Sequence, residues 1–237
     1  MASNITAQII PKIKEWQDRP LESIYPICFI DAVHFSVKEE TSVVKKAAYI
    51  VLGVSEYGEK DILGIWIGEN ESAKFWLSVF NDLKARGVKD ILIMCSNRLR
   101  GIKEAITAAF LKTVQQRCIV HMIRNLVRFV SYKELKLFCN DLKSIYTAKN
   151  EKVGYEELQK IKEKWQNKYP TALRNWEENR SEICPFFDYS EPVRKIMYTT
   201  NTIESLNRSY RKYTKTKSVF PSDESLMKCL YLATINI

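Results

Sequence analysis

Two carboxylates in this sequence stand where simple folding rules would not put them. Asp31 lies in the middle of IYPICFIDAVHFSV (24 to 37), a run of apolar, aromatic and β-branched residues. An ionised carboxylate in a strand fit for burial costs several kcal/mol, on the order of magnitude known for such transfers, unless it is paired or bound to a cation. A divalent metal would meet that cost, and so would a lysine partner or a position at the strand's wet end. Glu204 lies in YTTNTIESLNRSYRKYTKTK. Asn201 followed three residues later by Glu204 fits a capping box, a purely structural device. The same segment also sets Ile203, Leu206, Tyr210 and Tyr213 on one helical stripe and Glu204, Arg208, Arg211 and Lys215 on the next. Residues 205 to 217 carry five bases, Lys212 among them, and no acid. A carboxylate followed by bases on one face suits a metal ligand beside a phosphate backbone, and a solvated basic face would look alike.

The elements that must position these residues follow from hydrophobic periodicity. Residues 24 to 37 predict a buried strand, 46 to 54 a second and 61 to 67 a third, with Glu56-Tyr57-Gly58-Glu59 as a turn, which together suggest an antiparallel meander. Ser72 caps a predicted helix to about Arg86, with Phe75, Trp76, Val79, Phe80 and Leu83 at helical spacing and Gly87 as its stop. A short strand at 91 to 94, a helix from about Ile102 to Phe110 and a strand near Gln116 to Val120 complete the order β-β-β-α-β-α-β. From His121 to about Asn179 the pattern is helical, with amphipathic stretches at 133 to 146 and 155 to 168. Pro185 and Pro192 interrupt it, and a final helix begins near Asn201. This order matches a ribonuclease-H-like α/β fold: a mixed five-stranded sheet with an all-helical insertion before the last catalytic helix. The expected divisions are 1–120 for the first part of that core, 121–190 for the insertion and 191–237 for the rest.

At 237 residues and 46% hydrophobic content the chain can bury a sizeable core without staples. Its net charge of +9 favours polyanionic partners, nucleic acid first. The six cysteines form no C-x-x-C pair, the first twenty residues lack the apolar core of a signal peptide, and no stretch approaches a membrane span. A reducing, cytoplasmic setting is expected. His34, Trp66 and Trp76 read as framework rather than ligands or base-stacking platforms.

The blocks FIDAVHFSV, KKAAYIVLGV, ILGIWIGENESAKFWLSVFNDLKARGVKDILI, RCIVHMIRN, YTTNTIESLNRSYRK and VFPSDE, in this order and spacing, resemble the Mutator-type transposases of bacterial insertion sequences over nearly the whole chain. The resemblance implies a metal-dependent DNA strand-transfer enzyme using an Asp-Asp-Glu triad with Mg²⁺ or Mn²⁺. Asp31 corresponds to the first Asp and Glu204 to the Glu, both as metal ligands, and Arg211 to a basic residue seven positions after the Glu. The second Asp aligns with Asn97 in MCSNRLRGI, with Arg98 where a Gly is usual and Gly101 kept. An amide oxygen brings no charge, so catalysis is expected to be impaired. Asp90 is a poor substitute, about 23 Å away along the strand. Glu104 would need a different approach.

Arg208, Arg211, Lys212 and Lys215 are the expected DNA contacts. The implied partners are double-stranded DNA, as element ends and target, and further copies of the chain when active. Cys118 and His121 match the family's Cys-x-x-His signature. With only two histidines in the chain a four-ligand zinc site is not expected there, and a structural or DNA-positioning role is. Complete members carry a DNA-recognition region before the core and further helix after it, so terminal-repeat recognition is expected to be missing here. The rival expectation is a catalytically silent DNA-binding remnant.

Overall fold

A computed structural model describes residues 2–198 and 201–236, with side chains described for 8–198 and 205–236. The chain divides into two compact units, one made of residues 1–115 with 201–237 and the other of 116–200.

The first unit is built on the predicted meander. Strands β1 (Ile24–Glu39), β2 (Ser42–Val54) and β3 (Lys60–Gly68) pair antiparallel, and β4 (Asp90–Ser96) adds parallel to β1. With β5 (Val114–Arg117) the sheet is mixed and five-stranded, in the order β3-β2-β1-β4-β5. The central strands are buried almost continuously, as expected when helices cover both faces. On one face α2 (Ala73–Ala85) and α3 (Ile102–Ala109) enclose a core of Trp76, Phe80, Leu83 and Ile106 against Cys28, Ile30, Tyr49 and Met94. Successive strand residues point to opposite faces, so Phe29, Asp31, Val33 and Phe35 belong to the other side. There α10 (Asn201–Thr214) meets β1, and α11 (Asp223–Thr234) packs on α10 and β3. The chain between these two helices returns to β1, where Phe220 and Ser36 bond through their backbones at 2.8 Å and the Phe220 and Phe35 rings meet edge to face.

Ser72 caps α2 as predicted, its side chain accepting from the Phe75 N–H, and Gly87 ends the following turn with φ of 112°. Two expectations need correction. The strand placed at Gln116 to Val120 ends at Arg117, and Ile119–Val127 forms α4. Ile119, Val120, Met122 and Leu126 are the buried face of that helix, and a short apolar run cannot by itself tell helix from strand. The helix at Asn201 is not the final one, because Ser222 caps α11 by accepting from the Ser225 N–H. The opening segment Ala2–Asp18 is helix α1 and packs on β3 and α11. Its Gln17 accepts from the Ile65 N–H, and Arg19 just beyond it donates to the Ile62 carbonyl, satisfying the outer edge of β3.

Lys46 is a buried charge on β2 with three partners: Glu39 at 2.5 Å, Asp223 at 2.8 Å and Glu69 at 3.4 Å. Hydrogen bonds that it donates to Asp223 first, then to Glu39, hold its pKa well above the ordinary lysine value. The cluster joins the ends of β1 and β3 to the first turn of α11. Lys46→Met should lower the melting temperature by roughly 3–6 °C. Part of that loss should return in high salt, where repulsion among the three carboxylates is screened. A salt-independent deficit would show that lost packing, not charge, was responsible.

The second unit opens on the last two residues of β5 and is otherwise built of helices among its described residues. After α4 come α5 (Tyr132–Tyr146), α6 (Glu151–Trp165), α7 (Pro170–Glu178), the short α8 (Arg180–Ile183), a 3-10 turn at Cys184–Asp188 and α9 (Glu191–Tyr198). Phe138, Trp165 and Tyr169 stack edge to face or tilted at its centre, and the Trp165 indole donates to Asp141 at 2.6 Å. Among the described residues of the whole chain, no helix is long and apolar enough to cross a membrane.

Candidate acidic site beside a basic helix

Asp31 occupies the centre of the sheet, facing Ile50 on β2 and next to Ile30, which pairs with Ser96 on β4. It is 5% exposed. Its Oδ1 accepts the Ala32 N–H at 2.9 Å, and its Oδ2 accepts from the Asn207 carboxamide on α10. The carboxylate is thus held at the seam between the sheet and the basic helix, not at a solvated strand end.

Asn97 is the first residue beyond β4. It follows Ser96, whose partner across the parallel pair is Ile30, the neighbour of Asp31. It is half-buried, and its Oδ1 accepts the Arg98 N–H at 2.8 Å while its carbonyl accepts the Leu99 N–H, so a tight turn starts here. Arg98 is exposed. The turn is tied down at its far end, where the Arg100 N–H donates to Glu71 at 2.9 Å and Gly101 adopts φ of 78° as the cap of α3. The Tyr49 hydroxyl lies at 3.5 Å from the same Glu71 carboxylate, and burial first, then Glu71, pushes the tyrosine pKa up to about 12. Asp90 begins β4, at the opposite end of the strand from Asn97, and Glu104 is exposed in the first turn of α3.

Glu204 and the Asn201 capping box lie outside the described side chains. The backbone places Glu204 in the first turn of α10, one turn before Asn207. Arg208, Arg211, Lys212 and Lys215 are all exposed, the first three on α10 and Lys215 just past its end. Of the apolar stripe expected at Ile203, Leu206, Tyr210 and Tyr213, Ile203 lies outside the described side chains and the rest is shifted: Leu206, Asn207, Tyr210 and Thr214 are buried, while Tyr213 is 42% exposed. The two polar members of the buried face both find partners inside the protein, Asn207 on Asp31 and Thr214 on the Tyr210 carbonyl. Asn207 is the site residue that sequence reasoning missed. Its signal was a polar side chain at i+4 and i−3 spacing from the apolar ones.

Cys118 is the buried N-cap residue of α4, and His121 lies in that helix's first turn. Both belong to the second unit. No group of three or more His, Cys, Asp or Glu side chains gathers as a metal site among the described residues.

The family model described as "Transposase, Mutator family" matches residues 1–237. The chain belongs to the Mutator family of transposases. Among its relatives are a probable transposase for an ISRM3-like insertion sequence element of Sinorhizobium fredii and the transposase for the element ISRM3 of Rhizobium meliloti. Each is 44% identical across the whole of this chain and 59% of its own length. A probable insertion-element transposase of Corynebacterium diphtheriae is 38% identical over 236 residues, 69% of its length. The chain therefore spans about 59% of the first two relatives, and membership in the transposases supplies a class of DNA-processing protein rather than a complete reaction.

Proposed function

We propose that this chain is the catalytic core of a DNA transposase, a ribonuclease-H-like domain that cleaves and joins insertion-element ends with Mg²⁺ or Mn²⁺, weakened by Asn97 at the second acidic position. The observation that carries the reading is the bond between Asp31 and Asn207, which brings the basic helix α10 to a carboxylate buried in the sheet. The donors fit a hard divalent cation in type, since Asp31, Asn97 and Asn207 offer oxygen, and Glu204, one turn from Asn207, would supply the second carboxylate. They fall short in charge by the unit missing at Asn97. Bound there, the metal would activate an attacking hydroxyl or water and stabilise the leaving oxygen. Asp31 and Glu204 would hold it, while Arg208, Arg211, Lys212 and Lys215 would position the phosphate backbone of double-stranded DNA.

The test is nicking or strand transfer on a duplex carrying the element's terminus, with each metal and with chelator. Cleavage that needs the metal and vanishes in Asp31→Ala is the expected result; cleavage indifferent to both would overturn it. The neutral amide at Asn97 favours a second reading, a DNA-binding protein without catalysis, in which assembly into oligomers with an active relative would matter more than chemistry. Both readings require the α10 bases to touch phosphates. Arg211→Ala should weaken duplex binding and lower the slope of log affinity against log salt by about 0.9. Unchanged affinity and slope would make the stripe a solvated face and remove α10 from the DNA surface.

A further inference from the structure

Asn207 carries more than its bond to Asp31 explains. It is 8% exposed, on the buried stripe of α10. The two ends of its carboxamide have different fates: Nδ2 donates to the Asp31 carboxylate, while Oδ1, equally buried, meets no hydrogen-bond donor among the described residues. Tying the helix to the strand needs only the donor. An acceptor left unsatisfied in the interior works against folding. Here it is left next to a carboxylate, and an amide oxygen beside a carboxylate is a hard oxygen pair of the kind divalent cations select.

We infer that Asn207 is a cation ligand of this site: its Oδ1 joins Asp31 as a second oxygen donor, and in the cation-free protein its Nδ2 compensates the Asp31 charge. The inference rests on the reading of Asp31 as a cation-binding carboxylate. It adds a donor on α10 to the two carboxylates and Asn97. It also accounts for an amide, rather than an aliphatic residue, at a packing position. A carboxamide offers both ends, a donor for the empty site and an acceptor for the filled one.

Free Mn²⁺ counted by electron paramagnetic resonance during titration of the intact chain, without DNA, tests this independently of activity. Asn207→Asp keeps an oxygen at the same place and adds a charge, so it should bind Mn²⁺ about tenfold more tightly or better. Without metal it should melt at a lower temperature than the unaltered chain, because two carboxylates then face each other, and millimolar Mn²⁺ should raise its melting temperature by the larger amount. Asn207→Leu should lose at least tenfold in affinity. Should the leucine variant fail to fold, the aspartate variant decides alone. Equal Mn²⁺ affinity in the unaltered chain and Asn207→Asp, with binding lost in Asp31→Ala, would overturn the role of Asn207 and leave the Asp31 site standing. Affinity unaffected by Asp31→Ala would overturn the cation site itself.

Discussion

Asn97→Asp is expected to raise Mg²⁺- or Mn²⁺-dependent cleavage of a duplex ending in the element's terminus by on the order of 10²-fold, the usual scale for one misplaced electrostatic group in an active site. The fold should hardly register the change. Asn97 holds its turn through Oδ1, which accepts the Arg98 N–H at 2.8 Å, and an aspartate oxygen accepts the same bond. The difference is one unit of negative charge, which the proposed divalent-cation site lacks. Arg98 is exposed next to this position and brings the opposite sign, so Arg98→Gly added to Asn97→Asp should give a further gain. The assay supplies any DNA-recognition region the reaction needs, and Asp31→Ala in the doubly altered chain should return cleavage to background. Equal metal-dependent cleavage with Asn and Asp at 97 would show that this residue does not limit the chain.

Gly101→Ala should have the largest effect on folding. Gly101 sits at φ of 78°, a region that costs an L-residue with a Cβ roughly 1–2 kcal/mol. A Cβ there would also overlap the backbone of Ser72 and Ala73 at the start of α2, which cannot step aside as a flexible side chain would. Adding roughly 1–3 kcal/mol for such overpacking, the melting temperature should fall by about 5 °C at least. The damage should reach the acidic site, because the stretch from Asn97 to Gly101 is anchored on residues 71 to 73 through Glu71 and this contact. Thermal unfolding of Gly101→Ala measures the first effect. Amide hydrogen exchange at Arg98 and Leu99 measures the second. A variant that melts like the parent with both amides equally protected would mean that the turn has an alternative path past α2.

Much of this arrangement was legible in the residues, for identifiable reasons. The meander, α2 and β4 carry strong periodicities bounded by Ser72 and Gly87, so local pattern and tertiary burial agree there. Asp31 stood out because a charge in an apolar run contradicts its surroundings. Other features needed the third dimension. Whether Ile119 and Val120 close a strand or open a helix depends on what buries them, and α1, although Ile9, Ile13 and Trp16 recur at helical spacing, contains Pro11, a residue that argues against a helix interior. Asn207 is instructive: read along the helix it is an interruption of the apolar stripe, and only the packing of α10 on β1 shows that it answers the buried Asp31. Gly101 could be matched to a pattern from the sequence, but its physical reason, the approach to Ala73, lies 28 residues away along the chain on another element.

The division of the first unit into residues 1–115 and 201–237 has a consequence for biosynthesis. When β1 to β4 leave the ribosome, their face toward α2 and α3 can be covered at once, but the face bearing Phe29, Val33 and Phe35 must wait for α10 and α11. Translation of the whole of 116–200 comes first, a delay of roughly ten seconds at ordinary elongation rates. During that interval a broad apolar sheet surface with Asp31 in its midst is open to other nascent chains. Long-range closure of this kind makes folding slow and yield sensitive to temperature and expression rate, so holding chaperones should raise the soluble fraction more than they would for a domain of the same size with contiguous sequence.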